Sequence, residues 1–290
     1  MRKQLQADFW LTVYSIIMGI TSLVIKVVTQ ELGVYSFMVF RYSSAFLICL
    51  VFFYRALKGN ITRSILYHSL LIGIVTYGSH LFCTIGIYLT PVGIAGFLTN
   101  LQPIVVPILI FLRTKERFDR TSLLCIAGVF LGVCLITLGN EVEYTHGVWL
   151  CIVSSICTGM QITLTEKYVN LGDNAIPLTT CQLGVLTLFS LLACGITKEI
   201  SFPHSPTAWM CIAWTGFVST AFATYIHTRV QKDTSSVRAG LIFSSIPIFC
   251  LIGSRIVFHD SFTIRACWGA ALMVVCIAVM ELNAHKKSLE

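Results

Sequence analysis

Charge is what this chain has least of. Asp, Glu, Lys and Arg make up only 11% of its 290 residues, while 56% are hydrophobic; an ordinary soluble domain is about 25% charged. So few charges cannot cover a soluble fold, which excludes a cytosolic enzyme, a disordered regulator and a secreted disulfide scaffold. Catalytic and energising signatures are missing too. There is no G-x-x-x-x-G-K-S/T loop to cradle phosphates, which argues against ATP as the driving force, and neither H-E-x-x-H nor G-x-S-x-G to suggest an intramembrane protease or lipase. The twelve cysteines form no C-x-x-C pair and lie in or beside apolar stretches. His80 and Cys83 lack a second pair to complete a zinc site, so the cysteines read as small apolar packing residues and no metal or cofactor is expected.

What the chain has is apolar length. Ten runs cover about residues 9–28, 36–54, 65–88, 93–112, 122–139, 147–165, 176–195, 207–228, 237–258 and 265–282. They are continuously apolar and ~18–24 residues long, which suits membrane-crossing helices rather than the short alternating strands of a barrel. Met1-Arg2-Lys3 before an apolar run resembles a signal peptide. That run is too long, has no small-x-small cleavage site and is followed by nine more, so it reads as a retained first span.

The net charge of +7 is distributed by side of the membrane. With a cytoplasmic N-terminus, the inner ends and loops hold Arg2, Lys3, Arg55, Lys58, Arg63, Arg113, Lys115, Arg117, Arg120, Lys167, Arg229, Lys232, Arg238, Lys286 and Lys287. The outer ones hold only Lys198, Arg255 and Arg265. The positive-inside rule then places both termini in the cytoplasm of a cell (inner) membrane, and the charge is topological rather than a footprint for nucleic acid.

The second half repeats the first at an offset near 141–144 residues. Pro91-Val-Gly-Ile-Ala-Gly-Phe-Leu-Thr-Asn-Leu-Gln-Pro103 aligns with Ser235-Ser-Val-Arg-Ala-Gly-Leu-Ile-Phe-Ser-Ser-Ile-Pro247, matching Ala95, Gly96 and Pro103 to Ala239, Gly240 and Pro247. Further on, Glu116 falls on Asp260 and Phe118 on Phe262. Five spans per half is an odd number, so the second copy enters the membrane from the opposite side. The expected fold class is all-α integral membrane, with ten transmembrane helices as two inverted five-helix repeats, residues 1–142 and 143–290. Such architecture places a substrate site near the midplane between halves.

Phe40-Arg41-Tyr42, the Thr90–Pro103 stretch, Lys115-Glu116-Arg117 and the Gly128/Gly132 helix together resemble the drug/metabolite transporter superfamily, of the ten-helix EamA type. The resemblance covers about residues 9–282. It departs from the family pattern at Gln182, where the first half has Arg41, and at the tenth span, which lacks the second glycine. It implies a transporter whose spans one, three, four, six, eight and nine line the cavity.

Polar residues inside spans are costly and are therefore functional candidates. The fourth span carries Thr99, Asn100, Gln102, Pro103 and Pro107, and each proline leaves unbonded the carbonyl four residues back. Ser244, Ser245 and Pro247 mirror it in the ninth span, and a helix–helix hydrogen bond at a kink is the competing reading. Gly73, Tyr77, His80 and Thr84 share a face of the third span, as Gly216, Thr220, Ala223 and His227 do in the eighth. His80, the deeper histidine, is preferred to His227. The implied lining adds Tyr14 and Ser15 from the first span and Thr158 and Gln161 from the sixth, while Trp214 and Tyr225 offer aromatic contacts or interface anchors. Lys26 and Arg41 lie ~8 Å from the outer span ends, within snorkelling reach, so they read as interfacial groups or as contacts for an anion. Glu116 and Asp260, beside basic residues, are candidate gate charges or solvated loop charges.

None of the thirteen acids lies deep in a span by this map. That predicts facilitated diffusion or exchange rather than proton coupling, which commonly needs an intramembrane relay. With amides, hydroxyls and aromatics but no central fixed charge, the expected cargo is a small polar or zwitterionic metabolite, an amino acid or related compound. A larger nucleoside-like cofactor such as S-adenosylmethionine is the alternative. From other classes, a membrane-embedded enzyme would need a convergent His/Asp/Glu cluster, and a channel a continuous pore. The small-residue fifth and tenth spans fit either internal contact or contact with a second subunit, so the oligomeric state stays open.

Overall fold

The computed structural model describes residues 2–114, 120–137, 145–230, 242–243, 245–259 and 264–287. Glu116, Asp260 and Ser244 lie outside the described residues. Regular structure among the described residues is helical throughout: α1 (Arg2–Leu32), α2 (Val34–Leu57), α3 (Arg63–Leu89), α4 (Val92–Leu98), α5 (Gln102–Thr114), α6 (Arg120–Thr137), α7 (Thr145–Asn170), α8 (Ala175–Thr197) and α9 (Pro206–Ala213). A π-helix (Trp214–Phe222) continues α9 into α10 (Ala223–Val230), followed by α11 (Ile246–Val257) and α12 (Ile264–Lys287). Among the described residues, six stretches are long and apolar enough to cross a membrane: Gln6–Leu32, Val34–Leu57, Arg63–Leu89, His146–Asn170, Ala175–Thr197 and Pro206–Val230.

The bundle is apolar on its surface as well as in its core. Val51 and Phe52 are each 74% exposed and Ile196 81%, which only lipid makes tolerable. Many buried hydroxyls bond within their own helices; Thr76 and Thr84 each donate at 2.7 Å to the carbonyl four residues back. Others tie helices together: Ser69 donates to Leu178 O at 3.0 Å and Thr76 accepts from Gln182 Nε2 at 2.9 Å, beside the close contacts made at glycine.

Two spans depart from continuous α-helix, the fourth of them where its prolines predict a kink. The fourth breaks at Thr99–Leu101 into α4 and α5. Pro103 has no N–H to give to the Thr99 carbonyl, and the Gln102 side chain supplies that bond instead at 3.0 Å. The Asn100 amide turns back to Phe97 O, and its side-chain Nδ2 donates to Gly96 O at 2.7 Å. Two polar side chains thus replace a turn of backbone bonding. The eighth span widens into the π-helix, for which the apolar pattern carried no signal.

Gly33 alone joins α1 to α2, with φ +73. A side chain there would also collide with the Glu199 carboxylate, which accepts the Tyr35 amide at 3.2 Å. At the same end of the bundle Glu31 accepts from the His204 and Ser205 amides and from the Ser205 hydroxyl at 2.6 Å. Lys26 Nζ closes the end of α3, donating to the carbonyls of Ile87, Tyr88 and Thr90 at 2.9, 2.7 and 3.2 Å. Those are the carbonyls a helix C-terminus leaves without intrahelical donors. The fifth and tenth spans pack against each other within the chain, where Gly128 meets Cys276 and a Cβ at Gly132 would lie 2.5 Å from Met273 Cγ.

Candidate functional site

Mid-span residues from seven helical spans enclose a polar cavity of about 110 Å3. From α1 come Tyr14, Met18, Thr21, Ser22 and Ile25, spaced so that one helical face supplies them all. Arg41 enters from α2, and His80, Cys83 and Thr84 from α3. The break in the fourth span contributes Thr99, Asn100 and Gln102. From α7 come Ser154, Thr158, Gln161 and Ile162. Ser219 of the π-helix, Thr224 and His227 of α10, then Phe243 and Ile246, complete the wall from the second half. No Asp or Glu is among these lining residues.

Arg41 defines the electrostatics. It is only 3% exposed, so it does not snorkel to the outer interface as its place along the helix suggested. Depth along the axis is not direction: α2 turns this side chain inward, where Nε donates to Thr220 Oγ1 at 2.7 Å and Nη2 to Ser219 Oγ at 3.2 Å. The guanidinium carbon also lies 5.4 Å from the Tyr42 ring centroid, within cation–π range. The expectation of a cavity without a fixed charge is corrected accordingly.

His80 is oriented by Tyr42. Its Nδ1 and the Tyr42 hydroxyl are 2.7 Å apart, and the two rings are nearly parallel with centroids 5.8 Å apart. His227, given second place from sequence, also lines the cavity and sits in an aromatic cluster with Tyr14 and Phe243, centroids 4.9–5.7 Å apart. Gln102 Oε1 is buried without a hydrogen-bond partner, although its Nε2 is bonded.

Other candidates lie elsewhere. Tyr77 and Gly73 share a face with His80, but α8 covers that part of α3: Tyr77 meets Phe189, and Gly73 abuts Val185. Tyr225 packs on Phe53, 5.2 Å between centroids, because a position two residues before His227 is turned about 200° away from it around the helix. Trp214 does not line the cavity; its Nε1 donates to Thr21, which does. Ser15 and Ser245 both donate to Ile242 O and lie outside the lining. Lys26 is occupied with the end of α3. A larger groove of about 650 Å3, between α5 and the end of α7, is walled by Leu109, Thr163, Leu164, Glu166, Lys167, Asn170 and Leu171. It draws on two neighbouring helices only and lacks the convergence of the central cavity.

A cavity with polar groups in its wall, set within a bundle of apolar-surfaced helices, is the arrangement that a membrane transporter needs. The chain belongs to the EamA-like transporter family, whose model matches it twice, over residues 5–138 and 145–282, one match per half. It is 25% identical over 281 residues to an uncharacterized transporter of Archaeoglobus fulgidus, covering 97% of this chain and 87% of that one. To the uncharacterized transporter YyaM of Bacillus subtilis it is 22% identical over 225 residues, 73% and 72% of the respective chains. A crystal structure of a protein 16% identical in sequence aligns with 97% of this chain and 99% of its own, with a TM-score of 0.67. At that identity the likeness is one of fold.

Proposed function

We propose that the protein carries a small polar or zwitterionic metabolite, an amino acid or related compound, across a cell (inner) membrane by alternating access, as facilitated diffusion or exchange. The two halves are taken as inverted repeats, 1–142 and 143–290, with both termini cytoplasmic. One observation carries the reading: a single mid-span cavity draws polar walls from both halves, the arrangement that lets two related conformations expose one site to either side. Its volume of about 110 Å3 falls well below the ~300–1,000 Å3 of sites for drug-sized ligands, which favours a small solute over a nucleoside-like cofactor.

Proteoliposomes loaded with unlabelled amino acids are expected to take up labelled ones transiently above equilibrium, with saturation. Linear, unsaturated flux would point to a channel, and a chemically altered product to an enzyme. An imposed pH gradient is expected to drive no accumulation, since no carboxylate lines the cavity among the described residues. Uphill transport abolished by His80→Ala would overturn that part.

A further inference from the structure

Resting on the reading of this cavity as the transport site, we infer that Arg41 is the binding residue for a carboxylate, and that the cargo is a carboxylate-bearing solute whose ammonium donates to Gln102. Two mismatches in one cavity carry the inference. The first is a cation whose bonded partners are neutral: Arg41 is 3% exposed and donates to the hydroxyls of Thr220 and Ser219, and among the described residues no acid lines the cavity around it. Hydroxyls orient a guanidinium without balancing its charge, and an unbalanced charge inside a membrane protein is expensive. Arginine also has five N–H groups in a planar fork, more than these two bonds use, and that fork matches a carboxylate.

The second mismatch is an acceptor without a donor. Gln102 is 8% exposed and its Oε1 has no hydrogen-bond partner, while Nε2 is fixed on the Thr99 carbonyl and so sets which end of the amide is left over. A buried carbonyl oxygen left unbonded is disfavoured unless something polar visits it. A cation with no anion among its described neighbours and an acceptor lacking a donor are together the complement of a zwitterion. Neither a polyamine, which would face Arg41, nor an uncharged sugar meets both. The tether has a further consequence: Arg41 belongs to the first half and Ser219 and Thr220 to the second, so a carboxylate that takes up the guanidinium acts on a contact between halves.

The test uses the purified full-length protein in detergent and in proteoliposomes. Thermal stabilisation is measured with each of the twenty L-amino acids, their α-amides, the matching primary amines and simple monocarboxylates such as propionate and lactate. At least one amino acid is expected to stabilise the wild type, because a ligand that binds only the folded state raises stability. Its amide and its amine are expected to bind about 100-fold more weakly, the loss typical of a buried charged partner. Arg41→Gln should match that loss, Arg41→Lys should recover part of it, and Gln102→Leu should weaken amino acids but not monocarboxylates. Because the amide comparison uses the wild-type protein, a poorly folding variant leaves the test intact. Equal binding of acid and amide, or no carboxylate binding at all, overturns the Arg41 assignment. Monocarboxylates binding as tightly as amino acids would keep Arg41 and overturn the role of Gln102. Counterflow of an amine or nucleoside with no response to carboxylates would defeat the inference and leave the transporter reading standing. No counterflow of any solute by a folded protein would defeat that reading itself.

Discussion

Gly86→Leu is expected to reduce the yield of folded, monodisperse protein at least about tenfold, with heat-resistant material in detergent falling in step. At this position α3 and α7 touch backbone to backbone. A Cβ on Gly86 would lie 2.5 Å from Cys151 Sγ and 3.2 Å from both Cys151 N and Gly147 O. Gly147 is equally confined, against Thr90 Oγ1 and 3.0 Å from Leu89 Cβ. Forcing side-chain volume into a closed contact costs about 1–3 kcal/mol even where the surroundings relax, and here two of the obstacles are main-chain atoms that cannot rotate aside. The displaced residues include those whose carbonyls bond Lys26, so the damage reaches α1. Gly195→Ala is the control. Nothing lies within 4 Å of its Cβ position, and alanine is the better helix former by up to about 1 kcal/mol. Its yield is expected to stay level or rise, and equal losses in both variants would show that the helix contact is not the cause.

Asn100→Leu is expected to lower counterflow about 100-fold while folded yield falls far less. The Asn100 side chain closes the end of α4 by donating to Gly96 O, and it faces the cavity. Leucine leaves that carbonyl without its donor, at about 1–3 kcal/mol, and puts a branched apolar group among the groups that face the cargo. The first effect is a stability loss shared by every ligand, and the second acts on transport. Rates measured at equal amounts of reconstituted protein separate them. Transport within twofold of wild type would remove Asn100 from the site.

Much of the fold was legible because lipid imposes a simple rule on composition. The ten apolar runs anticipate the helices found among the described residues, and the polar cluster at Thr99–Gln102 marked the break. Proline chemistry anticipated the unbonded Thr99 carbonyl; that Gln102 would take it up depended on the local geometry. Lateral direction was harder to read. Arg41 looked interfacial because depth was measured along the helix axis, whereas its environment is set by which neighbour α2 presents it to. Tyr225 and His227 were both put forward although they stand two residues apart, about 200° around a helix, so only one of them could face the cavity. Tyr77 and His80 do share a face, and they part company only because α8 covers half of it, a tertiary fact. The face of α1 from Tyr14 to Ile25 was readable in principle from its spacing. Its hydroxyls and apolar residues alternate too mildly to stand out in a uniformly apolar span.

The glycines that fix the helix contacts also sort the helices into groups. α11 is pressed onto α1 through Gly19, whose Cβ would lie 2.5 Å from Phe249, and onto α4 through Gly96, whose Cβ would lie 2.5 Å from Cys250. α7 is pressed onto α3 through Gly86 and onto α5 through Gly159, whose Cβ would lie 2.6 Å from Val105. The fourth span therefore has its first half bolted to one block and its second half to the other, with Thr99–Leu101 between them as a flexure. Spin labels on α4 and α11 should keep a constant separation when the cavity changes sides, while labels on α4 and α5 change theirs. On this view the missing turn of helix is a mechanical joint, and the proposed cargo site lies on the joint itself.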